Sequence, residues 1–252
     1  MGGNRHILIV YGMPQCGVKG RKKAVCGRLR CRIFRRMMTI LADQPGIHNV
    51  YLRQLRDQEI QRDRMRFRMN LKRLSACMGY RIAETLPYET QEVLTPLGTA
   101  KGMALAEQPV LATILRAGLP MHEGMLEVFD EADNAFVSAY RRYHQGGDFE
   151  IEVDYLSAPD LSGRTVILTD PMLATGASMG CVWDALQKRG EPGQLHVVSA
   201  IASREGLQNA KEMLPDTTKY WLGVVDDETT ARGYIVPGLG DAGDLAFGPK
   251  KS

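Results

Sequence analysis

At 252 residues with 44% hydrophobic composition, the chain has room for one substantial core and not for two full domains. Its net charge of +3 conceals an asymmetry: residues 1–36 carry ten Lys or Arg and no acid, so residues 37–252 hold 22 basic against 29 acidic side chains, a balance of −7. An acidic body excludes a broad nucleic-acid surface, and no apolar run approaches the ~20 residues that cross a bilayer, so neither nucleic acid nor membrane is expected as a partner.

The N-terminal 36 residues open with a short apolar run, His6 to Val10, followed by glycine-rich and then Arg-rich sequence that ends at Met37 and Met38. Three readings compete for this basic extension: a targeting presequence, a basic arm for an anionic partner, or translation from upstream of a start at Met37 or Met38. The third is preferred, with residues 37–252 as the functional domain. Gly12 to Gly20 nearly spells a P-loop, but Val18 and Gly20 stand where a lysine and a hydroxyl residue are required. Cys16, Cys26 and Cys31 lie in this segment, and Cys77 and Cys181 sit alone in predicted helices. None has zinc-site spacing, and a reducing, cytoplasmic setting is expected.

From Leu52 to Ala83, Leu55, Ile60, Met65, Met69, Leu71, Leu74 and Met78 recur at spacings near three and four, which predicts an amphipathic helix with those residues in the core. Thr90 to Gly102 reads as extended chain broken at Pro96 and Gly98. Beyond it, strand-like runs alternate with helical ones. Strands are predicted at Val110–Leu115, Ala135–Tyr140, Thr165–Thr169, His196–Ala202 and Lys219–Val225, and helices after Gly118 and over Ser178–Lys188 and Gly206–Met213. The expected fold class is α/β, a doubly wound parallel sheet flanked by helices, in which ligands bind beyond the carboxyl ends of the strands.

Three of those ends carry chemistry. After Thr169 comes Asp170-Pro171-Met172-Leu173-Ala174-Thr175-Gly176-Ala177-Ser178, a small-residue loop opening a helix. Freed backbone amides and the helix dipole suit a phosphate there; Gly176 permits close approach, and Thr175 and Ser178 add hydroxyls. Asp170 is placed to accept from the hydroxyls of a ribose. The competing reading is structural: Thr175 or Ser178 merely capping the helix. Arg116 leaves the first buried strand into the tight turn Ala117-Gly118, placed either to meet anionic oxygens or as a plain surface charge. Tyr234 to Gly248 holds four glycines, one proline and two aspartates, and is expected to form an ordered irregular loop that offers main-chain donors and acceptors to a planar ligand.

The loop Asp170–Ser178 resembles the phosphoribosyl pyrophosphate (PRPP) loop of the type I phosphoribosyltransferases, and Pro171 after the first acid resembles the uracil branch of that family. Val110 to Met121, the Tyr140-Arg141 pair and Tyr234 to Gly248 are similar to the same branch, in the same order. The resemblance implies transfer of a phosphoribosyl group from PRPP to uracil. It places PRPP on Arg116, Arg141 and Asp170 through Ser178, with Asp241 nearby, and uracil on main chain around Tyr234, Ile235, Gly240, Asp241 and Ala242. Asp241 would either assist loss of the uracil N1 proton or help hold magnesium, an ion carried mainly by PRPP. Arg142 competes with Arg141 for its role. The resemblance also implies a homodimer or homotetramer and, in some members, activation by GTP, although no residue here marks a GTP site.

Residues 142–158 depart from the commoner bacterial form. Gly146 and Gly147 read as a hairpin tip and Phe149–Leu156 as a strand, together a β-flap of the kind that closes over PRPP. Asp226 and Asp227 read as a strand-end turn near the base loop. His122, His144 and His196 carry no nucleophile signature and are expected to be packed or solvated, and Trp183 and Trp221 to pack against the sheet or a subunit interface. Two rivals remain: the same fold acting on another nucleobase, and a regulatory RNA-binding relative of that fold, which the acidic body disfavours.

Overall fold

The computed structural model describes residues 37–143 and 149–249, with main chain alone at 140–143 and 149–152. In chain order it runs β1 (Met38–Ile40), α1 (Ile47–Arg56), α2 (Arg64–Ala83), β2 (Tyr88–Thr95), β3 (Gly98–Leu105), β4 (Val110–Leu115), α3 (Leu119–Leu126), β5 (Asp133–Tyr143) and β6 (Phe149–Ser157). It continues with β7 (Thr165–Thr169), β8 (Met172–Leu173), α4 (Ala177–Gln187), β9 (Gln194–Ser203), α5 (Arg204–Met213), β10 (Lys219–Asp226), β11 (Glu228–Thr229), β12 (Ile235–Val236) and α6 (Ala242–Phe247). No helix among the described residues is long and apolar enough to cross a membrane.

The main sheet has the order β1-β10-β9-β7-β4-β5-β6, parallel throughout except for the antiparallel β5–β6 pair. Its five long parallel strands, taken in chain order, lie as 2-1-3-4-5, so the doubly wound expectation holds. Both faces of these strands are buried, and alternate residues divide between two cores. Leu111, Ile167, Val198 and Trp221 face α1, α2 and α3. Val110, Ala112, Val166, Leu168, Val197 and Leu222 face Val182, Trp183 and Leu186 of α4 and Leu207 and Ala210 of α5.

The single helix expected over Leu52–Ala83 is two helices. Asp57 accepts from the Glu59 and Ile60 amides, and Asp63 caps a fresh start by accepting from Arg66 N–H at 3.0 Å. The restart rotates the apolar stripe onto Phe67, Leu71, Leu74, Met78 and Ile82, all buried, and leaves Met65 64% and Met69 37% exposed. Those two methionines are therefore not core. The segment after Pro87 is the β2–β3 hairpin.

His122 and His196 are packed, and burial pushes both rings below the ordinary histidine range, His196 to about 3. His196 Nδ1 accepts from Trp221 Nε1 at 3.1 Å, and Trp221 and Trp183 lie in opposite cores. His144 and the tip at Gly146 and Gly147 fall outside the described residues.

α2 and α3 approach so closely that a Cβ on Gly124 would stand 2.1 Å from Lys72 O, a backbone atom that cannot step aside. Gly124→Ala is expected to lower the urea midpoint by the equivalent of about 1–3 kcal/mol with little change in slope, as read by equilibrium unfolding.

Candidate active site

β4 and β7 are neighbours whose last paired residues are Thr113 and Thr169. From there β4 feeds α3 and β5 toward one edge, and β7 feeds α4 and β9 toward the other, which opens a crevice at their carboxyl ends. The strands are tied where they part: Thr169 Oγ1 donates to Ala112 O at 3.2 Å and Thr113 Oγ1 to Thr169 O at 3.4 Å. Gly118 turns in the same spot, where a Cβ would lie 2.2 Å from Thr113 Oγ1 and 2.7 Å from Ile114 O. Arg116 follows β4 directly and Asp170 follows β7 directly, so one leaves each lip. The Leu115–Arg116 peptide is cis.

The loop after β7 is shaped from below. Ser203 donates to Ala174 O, Asn209 Nδ2 donates to Thr175 O at 3.0 Å, and Gly206 lies so near that a Cβ there would be 2.3 Å from Ala174 O. Gly176 takes φ +79 as the N-cap of α4, and no side chain caps that helix. The capping role weighed for Thr175 and Ser178 is therefore excluded, and the first-turn amides of α4 face the loop without a side-chain acceptor. Ala174, Thr175, Ala177 and Ser178 are partly exposed. Pro171 and Leu173 are buried, the latter in the core, and can offer a ligand only main chain, while Met172 is partly exposed and forms with Leu173 a short strand on β9.

Asp170 is only partly exposed, and desolvation pushes its carboxyl up to about 7, against the weaker pull of a long hydrogen bond from Met172 N–H. Arg116 is no free surface charge. Its Nη2 donates to Asp244 Oδ1 at 3.1 Å and to Gly248 O at 3.0 Å, while its Nε is buried with no acceptor among the described residues. Arg141 lies on β5 opposite Ile151; its side chain, like that of Arg142, is outside the described residues.

The segment Tyr234–Gly248 is less irregular than its composition suggests. Its breakers cluster at Pro237–Gly240, after which Asp241 accepts from Asp244 N–H at 2.9 Å and starts α6. Ile235 and Val236 pair with β11, and the Val236–Pro237 bond is cis. Ile235 and Ala242 are buried, whereas Tyr234, Gly240 and Asp241 are exposed. A Cβ on Gly243 would sit 3.2 Å from Asp241 Oδ1 and 3.7 Å from Arg116 Nη2, which puts the base loop beside the β4 arginine. Asp226 reaches this loop too, accepting from Gly238 N–H at 2.9 Å, and Asp227 pairs with Arg204. Ser203 and Asn209 escaped the sequence reading, whereas Asp226 lies where it was expected, at a strand-end turn near the Tyr234–Gly248 segment; its bonds to Gly238 and Arg56 were not foreseen.

A family model described as uracil phosphoribosyltransferase matches residues 40–249. The chain belongs to the uracil phosphoribosyltransferase family. It is 43% identical over 210 residues to a uracil phosphoribosyltransferase of Porphyromonas gingivalis, covering 83% of this chain and 97% of that one. A uracil phosphoribosyltransferase of Methanothermobacter thermautotrophicus is 41% identical over 184 residues, covering 72% and 83%. A solved structure of an Aquifex aeolicus protein superposes with a TM-score of 0.75 at 30% identity, covering 84% of this chain and 98% of that one. The matched span begins inside β1 and ends just past α6, so both crevice lips and the base loop fall within the family pattern.

The raised Asp170 has a consequence for stability. Between the ordinary value near 3.8 and about 7, the folded chain holds this proton and the unfolded chain does not, so folding stability falls as pH rises through that window. Asp170→Asn removes the penalty. In thermal melts the variant is expected to gain on the order of 2 kcal/mol over the parent at pH 8, with the gap closing near pH 4.

Proposed function

We propose that the chain transfers the 5-phosphoribosyl group of PRPP to uracil, releasing pyrophosphate and giving UMP. The observation that carries this reading is the uncapped start of α4 at Gly176, set at the parting of β4 and β7. Amides of Thr175 to Ser178 take the 5-phosphate, and the hydroxyls of Thr175 and Ser178 add donors. Asp170 accepts from the ribose hydroxyls. Arg116, steadied by Asp244, and Arg141 meet the pyrophosphate.

Uracil lies against the base loop, where main chain at Tyr234, Ile235, Gly240 and Ala242 complements the alternating acceptors and donor of its O2, N3–H and O4 edge. Rupture of the C1–O bond runs ahead of attack by N1, so what the protein supplies is a fixed charge pattern for the departing pyrophosphate, alignment of base and sugar, and exclusion of water. Asp241 spends one carboxylate oxygen on capping α6, which leaves the other to take the N1 proton or meet a cation.

The residues suit a magnesium ion that arrives on PRPP. Among the described residues no group of three or more His, Cys, Asp or Glu is gathered to hold a metal, and in this reading Asp241 is the carboxylate that would assist. When bound, the ion neutralises charge on the leaving diphosphate.

A homo-oligomer in the cytoplasm belongs to the same reading. β2 is exposed at seven of its eight positions, and the hairpin presents Leu94 at 87%, Leu97 at 101% and Met103 at 66% exposure, a surface suited to a second copy of the chain. Leu94→Asp with Leu97→Asp is expected to shift the protein to a smaller species in size-exclusion chromatography with light scattering. Running the activity assay on both species with and without GTP reads any effector response.

The assignment of the phosphate loop is tested by Thr175→Asp. Like charge at the phosphate seat is expected to weaken PRPP binding about a hundredfold or more by calorimetry, and unchanged affinity rejects the assignment. A pyrophosphate-release assay with PRPP and a panel of bases tests the acceptor; equal turnover of hypoxanthine or orotate and uracil defeats the uracil assignment.

A further inference from the structure

β10 ends at Asp226, which is 7% exposed and joins two elements that are far apart in sequence. Oδ1 accepts from Arg56 Nη2 at 2.7 Å, and Oδ2 accepts from Gly238 N–H at 2.9 Å. Arg56 closes the last turn of α1, whose Leu52 and Leu55 are buried in the core, so the guanidinium is delivered by a packed helix and not by a loop. Gly238 is the middle of the base loop. It takes φ +56, and a Cβ there would lie 2.1 Å from Ile235 O. The turn is therefore folded tightly over Ile235, with one amide aimed back at the strand end.

We propose that Asp226 is a positioning residue for the base: it sets the separation of the main-chain groups at Ile235 and Gly240, and through that separation the discrimination among planar pyrimidine rings. This rests on the base-loop reading above. Ile235 precedes the pinned amide by three residues and Gly240 follows it by two, so Gly238 cannot move without changing the gap between them. A carboxylate is the group this position needs. It faces donors on both sides with one acceptor oxygen for each, and a salt bridge to Arg56 holds its charge in a nearly closed setting. An asparagine of the same shape has one acceptor and one donor group. It must give up one of the two bonds and set its own N–H₂ against a guanidinium or an amide.

The test is steady-state kinetics of Asp226→Asn with uracil and with thymine, alongside PRPP calorimetry and thermal melting. The expected result is a rise in KM for uracil of about tenfold, a smaller change in kcat, a narrowed kcat/KM ratio between uracil and thymine, and unchanged PRPP affinity. Uracil KM and the thymine ratio both within about twofold of the parent overturn the proposal. So does a loss of PRPP affinity in parallel with the rise in uracil KM, because Asp226 would then serve only the fold. If Asp226→Asn does not fold, Asp226→Glu reads the same quantity: it keeps both acceptors on a longer stem that displaces Gly238, and an unmoved uracil KM overturns the proposal. Gly240→Ala, at φ +92, separates the two readings. An unmoved uracil KM in that variant removes the base-loop reading and this proposal with it. A raised KM there, with Asp226→Asn unaffected, removes the role of Asp226 alone.

Discussion

The crevice exists because two hydrogen-bonded neighbours, β4 and β7, send their chains to opposite edges of the sheet. That parting can be tight only if nothing bulky stands in it. Gly118 meets the condition, since a Cβ there would overlap Thr113 Oγ1 and crowd the carbonyls of Ile114 and Thr169. The buried hydroxyls of Thr113 and Thr169 close the seam with side-chain bonds in place of an apolar contact. Both chemically distinctive side chains of the strand ends, Arg116 and Asp170, owe their positions to this seam. A wider or looser parting would loosen the placement of Arg116 relative to Asp170 before any ligand arrived.

A second layer of residues holds the ligand-facing loops from outside the recognisable motifs. The phosphate loop rests on the start of α5, where Ser203, Gly206 and Asn209 meet the carbonyls of Ala174 and Thr175. The base loop rests on the end of β10 through Asp226 and on the end of α1 through Arg56. Small or polar residues at helix starts and strand ends serve here because a carbonyl or an amide left bare at the crevice wall would be a desolvated polar group without a partner.

The parallel strands were legible because each is a short, apolar run bounded by polar or small residues, and a strand buried on both faces looks the same whichever edge of the sheet it occupies. The Asp170–Ser178 loop stood out for a related reason: its pattern is local, nine consecutive residues between a strand and a helix. What sequence did not display was long-range pairing. Nothing near Arg116 announces that its Nη2 reaches Asp244 and Gly248, more than 120 residues later. Nor does anything near Gly238 point to Arg56 or to the bond from its own amide to Asp226, although the turn at Asp226 and Asp227 was expected near this loop. The helix restart at Asp63 was missed although Leu55, Ile60 and Met65 step by five across it, a lapse in the three-and-four pattern that marks the break made by two side-chain caps; reading one continuous stripe then assigned Met65 and Met69 to a face they do not occupy. Counting glycines over Tyr234–Gly248 hid α6, because Gly243 sits inside the helix and Gly248 ends it, so neither breaks it.

α6 has six residues, too few to persist as an isolated helix in water. Its order is borrowed: Arg68 donates to Ala246 O at 2.6 Å and lies over the Phe247 ring, Asp241 caps its start, and Arg116 grips Asp244 and Gly248 O. The arginine and the helix therefore restrain each other across the crevice. Fraying of α6 would free Arg116 in the same event, so the turn after β4 and the segment Tyr234–Gly248 form one cooperative opening unit, with amide protection lost from both together.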